Sequence, residues 1–415
     1  MSASENERTI LRRLAEKQAA IAALPVHKTT AEQWKRLNRL HLGKPMIWIT
    51  EMPWPEFADE ELQLQTTDPF CREIETRFRR TLYSWEHFPG DMVVDPVFRC
   101  PTVVQSTGLG LERKERTIPQ GPHAHISSHR YEPVIREEKD IEKIRTPVIT
   151  PDNEATEENH RRMTALFGDV LPVVRNNRST WWFAPWDILV TWWGVEEALT
   201  DLIARPEMVH HAMDRLSKAL ISVVDQHERL GLLSLNNEDV RIGSGGYGYT
   251  DELPQPDFDG RRVRTRDLWG CATAQIFSEV SPEMHWEFAL KYELPWLERF
   301  GLTYYGCCEP LHHKAPLLKR IPNLRKISMS PRADIEKGAA ACAGRYVFSM
   351  KPNPAVLAGD EWRPAAVRAE LRANLEKTRG CAVEIIMKDI STVRNEPRRL
   401  WEWARIASEV AEEFA

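Results

Sequence analysis

Eight short apolar runs, near residues 46, 92, 172, 240, 303, 327, 347 and 384, alternate with stretches of helical periodicity. That alternation constrains the fold most. A strand that must be followed by a helix before the next strand has to pair in parallel, so the chain reads as α/β. The second half repeats most regularly: strand 302–306, helix 313–320, strand 325–329, helix 333–342, strand 345–350, helix 363–379, strand 382–387 and helix 395–413. Eight strands over 415 residues predict a (β/α)8 TIM barrel with insertions. A doubly wound sheet is the alternative. No Gly-x-Gly-x-x-Gly opens a helix after the first strand, which argues against its dinucleotide-binding form.

Ahead of the barrel, Ile10, Leu11, Leu14, Ala19, Ile21 and Ala22 recur at helical spacing. Residues 1–40 are therefore expected as an N-terminal helical segment, and 41–415 as the barrel. Residues 98–135 alternate and turn, which predicts a hairpin excursion between strands 2 and 3. Residues 243–268 open on Gly243-Ser244-Gly245-Gly246-Tyr247-Gly248 and continue polar, a pattern suited to a hinged lid.

Composition excludes several classes. Net charge is -5 with acids and bases mixed, which gives no nucleic-acid signal. No apolar run reaches the length of a membrane span. The polar N-terminus shows no signal peptide, and the seven cysteines are scattered, so reduced thiols in a cytoplasmic protein are expected.

In a barrel, chemistry sits at the C-terminal ends of the strands. The run Tyr305-Gly306-Cys307-Cys308-Glu309-Pro310-Leu311-His312-His313 stands at such an end. Thiolate, imidazole and carboxylate are zinc ligands, so Cys307, Cys308 and Glu309 become candidate metal ligands, with His312, Cys342 and Asp389 as further donors. The bland alternative is a pair of small buried thiols. Glu51 and Gln275 also belong to segments that reach the mouth. The sequence has 15 Trp, and the cluster Trp181-Trp182-Phe183-Ala184-Pro185-Trp186 follows a strand directly. Trp181 and Trp186 are expected to wall a pocket together with Tyr247 and Tyr305. The spaced histidines His123, His125 and His129 form a second, weaker cluster in the excursion. No Gly-x-Ser-x-Gly elbow and no phosphate loop is present.

Four segments together resemble the uroporphyrinogen decarboxylase superfamily, most of all its corrinoid-linked zinc methyltransferase branch. They are EPVIREEKDIEKIRTP (132–147), EEALTDLIARPEMVHHAMDRL (196–216), SPEMHWEFALKYELPWLERFG (281–301) and YVFSMKPNPAVL (346–357). The resemblance implies a (β/α)8 barrel. It also implies transfer of a methyl group between a small O- or N-methylated compound and a cobalamin (corrinoid) carried by a partner protein, with zinc assistance. Cys307 falls at the family's zinc cysteine, whereas Tyr305 stands where the branch has His, and the late Cys is replaced near Lys388-Asp389. The implied site then has Cys307, Cys308 and Glu309 on the metal and Glu51, Gln275 and Asp389 as catalytic residues. Trp181, Trp186, Tyr247 and Tyr305 would lie around substrate. The leading helix also suits a homodimer. The decarboxylase branch is the alternative, acting without metal on a different carboxylate held by Arg241, Arg261, Arg262 and Arg345. The Ile49–Trp54 segment lacks that branch's arginines.

Overall fold

A computed structural model of the chain describes residues 4–118 and 128–415. The chain divides into two compact units. One comprises Met1–Val103, Asp152–Asn177 and Lys351–Ala415; the other comprises Val104–Pro151 and Arg178–Met350.

The first unit begins with helix Glu5–Ala22. Ser4 caps it: its hydroxyl accepts from the Glu7 amide at 3.3 Å, and the Glu7 carboxylate accepts from the Ser4 amide at 2.9 Å. Ile10, Leu11, Leu14 and Ala15 pack with Phe78, Phe98 and Phe167 in one core. Strand Met46–Ile49 pairs in parallel with Val383–Met387, and Phe98–Pro101 pairs in parallel with Val173–Asn176. The strand expected at 91–97 forms later, at Phe98, because two features hold the chain before it out of a ladder. Asp91 takes the Ile47 amide on its own carboxylate at 2.7 Å, and Pro96 lacks an amide hydrogen.

The second unit carries five parallel strands, Trp182–Phe183, Trp269–Ala272, Leu302–Tyr305, Leu324–Met329 and Val347–Met350. Each pairs with the next in chain order. Serial order without reversal is the arrangement of a barrel wall; a doubly wound sheet reverses. The α/β class and the parallel pairing are as expected, while these pairings do not set out a closed ring of eight. The hairpin excursion is present as Lys114–Ile118 paired antiparallel with Ser128–Glu132.

Two expectations need correction. Near residue 240 there is a single bridge, Arg241 to Tyr247, instead of a strand. The glycine-rich segment after it is packed rather than hinged: Ser244, Tyr247 and Thr250 are buried. Gly243 has φ +58°, and a Cβ there would stand 2.5 Å from the Tyr304 ring. The Ser244 hydroxyl lies 2.9 Å from the Tyr304 hydroxyl, which ties the loop to the sheet. Exposure returns at Asp251 and Glu252 and again at residues 256–262. No described helix is long and apolar enough to cross a membrane.

Candidate active site

Three consecutive strands of the second unit end in polar groups that meet. Trp182–Phe183 leads into helix Pro185–Trp193, which places Asp187 in the first helical turn. Trp269–Ala272 leads to Thr273 and Gln275, and Leu302–Tyr305 leads to Cys307, Cys308 and Glu309. The Gln275 side-chain amide donates to Asp187 Oδ2 at 2.7 Å. Asp187, Gln275 and Cys308 are half-buried, so this face of the cluster reaches solvent.

Burial pushes the Asp187 carboxyl up to about 6, the Gln275 hydrogen bond opposes the shift, and the Glu309 charge adds to it. A helix N-terminus ordinarily favours the charged carboxylate. Here desolvation wins, which is the behaviour of a group suited to holding and releasing a proton near neutrality.

Glu309 is fully buried and works as a staple. Its Oε1 accepts from Thr273 Oγ1 at 2.8 Å and from the Ala274 amide at 3.3 Å, and its Oε2 accepts from the Cys307 amide at 2.8 Å. One carboxylate thus joins the ends of two neighbouring strands. Gly306, at φ +97°, makes the turn that allows it; a Cβ there would meet Leu311 at 2.4 Å.

Behind the strand ends runs a fully buried polar chain. Tyr305 donates to Glu293 Oε2 at 2.6 Å, His285 Nε2 lies 2.7 Å from the Tyr305 hydroxyl, and Lys314 Nζ lies 3.0 Å from His285 Nδ1. Lys314 also donates to the Phe277 carbonyl. Burial pushes Glu293 up to about 8, Lys314 down to about 8, and His285 well below its ordinary value. A neutral imidazole then accepts from Lys314 at Nδ1 and carries its proton on Nε2, as its partners require. Glu293 Oε1 is buried with no hydrogen-bond partner, a costly position for a carboxylate and a reason for Glu293 to stay protonated.

The residues expected from sequence divide. Cys307, Cys308 and Glu309 stand together at one strand end, and Gln275 lies just past the end of the neighbouring strand. Tyr305 does not face a pocket: alternation along the strand turns Tyr304 towards Ser244 and Ser349, and Tyr305 towards His285 and Glu293. Trp186 is a core residue, its indole N–H bonded to the Phe288 carbonyl and its ring against Phe277. Trp181 is buried against His227 and Trp296. Tyr247 is buried in the packed loop, against Tyr249.

Glu51 and Asp389 belong to the first unit, at the ends of its paired strands. The Asp389 amide donates to Glu51 Oε2 at 3.2 Å, and the Lys388 ammonium pairs with both carboxylates. Both acidic residues adopt positive φ, 55° and 54°. The arginines do not converge. Arg261, Arg262 and Arg345 are exposed, and Arg345 precedes its strand, at the end opposite the cluster. His123 and His125 lie outside the described residues; His129 is exposed, 3.6 Å from Glu115.

Zinc takes four donors in a structural site and three from the protein in a catalytic one. The Cys307 and Cys308 sulfurs, 3.5 Å apart, offer two. Both oxygens of Glu309 are engaged by backbone and Thr273. His312 accepts the Asp334 amide at 3.2 Å, and Cys342 is buried in helix Ile335–Cys342. Among the described residues no three His, Cys, Asp or Glu side chains stand together as a metal site. The residues present therefore do not fit the expected zinc centre.

Sequence reasoning missed Asp187, His285, Glu293 and Lys314. His285 and Glu293 were detectable in principle. They lie eight residues apart in a helical stretch whose other buried positions, Phe288, Ala289, Trp296 and Leu297 among them, are apolar, where an ionisable pair is out of place.

No protein-family model matches the chain, and no curated protein matches it. Among solved structures, a methyltransferase from Methanosarcina mazei is similar, with TM-score 0.50 and 13% identity over 93% of this chain and 98% of that one. At this identity the likeness concerns the fold: both chains share an α/β architecture along nearly their whole length.

Proposed function

We propose that this protein is a methyltransferase that moves a methyl group from a small methyl ether to a corrinoid held by a partner protein. One observation carries the reading: a half-buried carboxyl, Asp187, whose proton is held to about pH 6, bonded to Gln275 at the strand ends and within electrostatic reach of Glu309 on the next strand end. The fold likeness to a methyltransferase supports it.

Breaking a methyl–oxygen bond leaves an alkoxide or phenoxide, a poor leaving group unless it is protonated as it departs. Asp187 supplies that proton from its carboxyl, and Gln275 fixes the carboxyl's orientation by binding the other oxygen. The corrinoid supplies the nucleophile that takes the methyl group. Glu309 holds the strand ends in register, and the buried Tyr305–Glu293 pair stiffens the wall behind them. An ether fits better than a methylated ammonium: a departing amine needs no proton, the Trp181 ring already has the Arg178 guanidinium over it at 4.5 Å, and the Trp186 ring packs on Phe277 in the core. Zinc is given no step, since Glu309 does not reach the thiol pair as a ligand. The carboxylate-binding alternative loses three of its four arginines, Arg261, Arg262 and Arg345, to the surface.

The test is transfer from two aryl methyl ethers, one with a good and one with a poor phenoxide leaving group, to free cob(I)alamin. Asp187→Asn should lower the rate roughly 10²–10⁴-fold for the poor leaving group and much less for the good one. An equal loss for both would mean that Asp187 does not act as the proton donor.

A further inference from the structure

Successive residues of a strand point to opposite faces, so neighbouring cysteines ordinarily keep their sulfurs apart. Here the turn after Gly306 brings both sulfurs to one side, 3.5 Å from each other. The backbone of Cys307 is held on both of its sides. The Cys307 amide donates to Glu309, and the Cys307 carbonyl accepts from Ser328 Oγ at 2.7 Å.

Reach is graded as well. Of the seven cysteines, Cys308 is the one that is not buried; Cys307 lies beneath it at 8% exposure. Cys71, Cys100, Cys271 and Cys381 are buried and their thiols are pushed up by desolvation, which suppresses the reactive thiolate.

We propose that Cys307 and Cys308 form an oxidant-sensitive vicinal dithiol, which hydrogen peroxide or a related small hydroperoxide converts to a disulfide. The inference does not depend on the reaction proposed above. The Cys308 sulfur attacks peroxide, an S–O bond forms as the O–O bond breaks, and hydroxide leaves and takes up the thiol proton as water. Cys307 then attacks the Cys308 sulfur. The S–S bond forms, the S–O bond breaks, and hydroxide leaves as water with the second thiol proton. Two thiols are oxidised and one peroxide is reduced to two waters. Adjacent Cα atoms stand about 3.8 Å apart, short of the roughly 4.4 Å at which ordinary disulfides begin. The product is therefore strained and readily reduced, a reversible mark instead of a structural bridge.

The test treats the full-length protein with graded hydrogen peroxide, removes the peroxide, unfolds the protein in guanidinium chloride, blocks remaining thiols with N-ethylmaleimide, and reads intact mass and peptide maps. The expected result is loss of two hydrogens confined to the Cys307–Cys308 peptide, reversed by dithiothreitol, with the other five cysteines still blocked. Cys307→Ser should instead accumulate an added oxygen on Cys308. If that variant does not fold, the wild-type arm alone decides. Oxygen added to wild-type Cys308 without loss of two hydrogens, a disulfide between chains, or two thiols that stay fully blockable would each overturn the proposal.

Discussion

The side chain of Gln275 donates to Asp187 Oδ2 at 2.7 Å, linking the end of one strand to the first helical turn after its neighbour. The bond leaves Asp187 Oδ1 as the oxygen free of Gln275 on a carboxyl already biased towards its neutral form. A proton donor positioned in this way should leave a trace in pH dependence. A group that acts as an acid is competent below its pKa, so the transfer rate should fall as pH rises through about 6, and the fall should disappear in Asp187→Asn. Initial rates across that range check it.

Glu309 should matter for stability rather than for metal. Glu309→Ala leaves the Thr273 hydroxyl and the Ala274 and Cys307 amides without their acceptor in a buried place. The expected cost is about 3 kcal/mol, read from urea unfolding. Elemental analysis of the same variant should show zinc content unchanged from wild type, whatever that content is. A drop tied to Glu309 would restore it as a ligand.

The buried carboxyl of Glu293 makes a pH prediction of definite sign. Its ordinary value is 4.5 and burial raises it to about 8, so between those values the folded chain binds more protons than the unfolded one. Its contribution to stability is therefore fully present below pH 4.5 and lost as pH rises through 8. Lys314, lowered to about 8, acts only above that, where stability recovers towards 10.5. Glu293→Gln should flatten the decline between pH 4.5 and 8, seen in unfolding midpoints across that window.

Gly243 distinguishes a packed loop from a hinged one. At φ +58°, with the Tyr304 ring 2.5 Å from where a Cβ would stand, Gly243→Ala should cost about 1–3 kcal/mol and lower the melting temperature. A mobile lid would accept the change with little effect.

Much of this was legible in sequence, for physical reasons that differ by segment. Strands such as Val347–Met350 and Val383–Met387 are continuous apolar runs, the signature of a strand buried on both faces. Trp269–Ala272 escaped because its four residues, Trp-Gly-Cys-Ala, include no β-branched side chain and follow a polar stretch. The thiol pair was visible as two adjacent cysteines at a strand end, but which way they pointed depended on the turn at Gly306. Asp187 was hidden by its position. An acidic residue in a first helical turn usually serves the helix dipole, and only the tertiary burial of this one raises its carboxyl towards neutrality. The aromatic cluster misled because alternation and helix packing, not composition, decide whether a Trp meets a ligand or a neighbour; Trp186 meets Phe277 and Phe288.

The most direct test of the account is methyl transfer from an aryl methyl ether with a poor leaving group to cob(I)alamin, measured for wild type and Asp187→Asn side by side. The account predicts measurable transfer by wild type and a loss of at least about 10²-fold in the variant, with unfolding midpoints alike. Equal rates in the two proteins, or no methyl transfer by wild type, would contradict it.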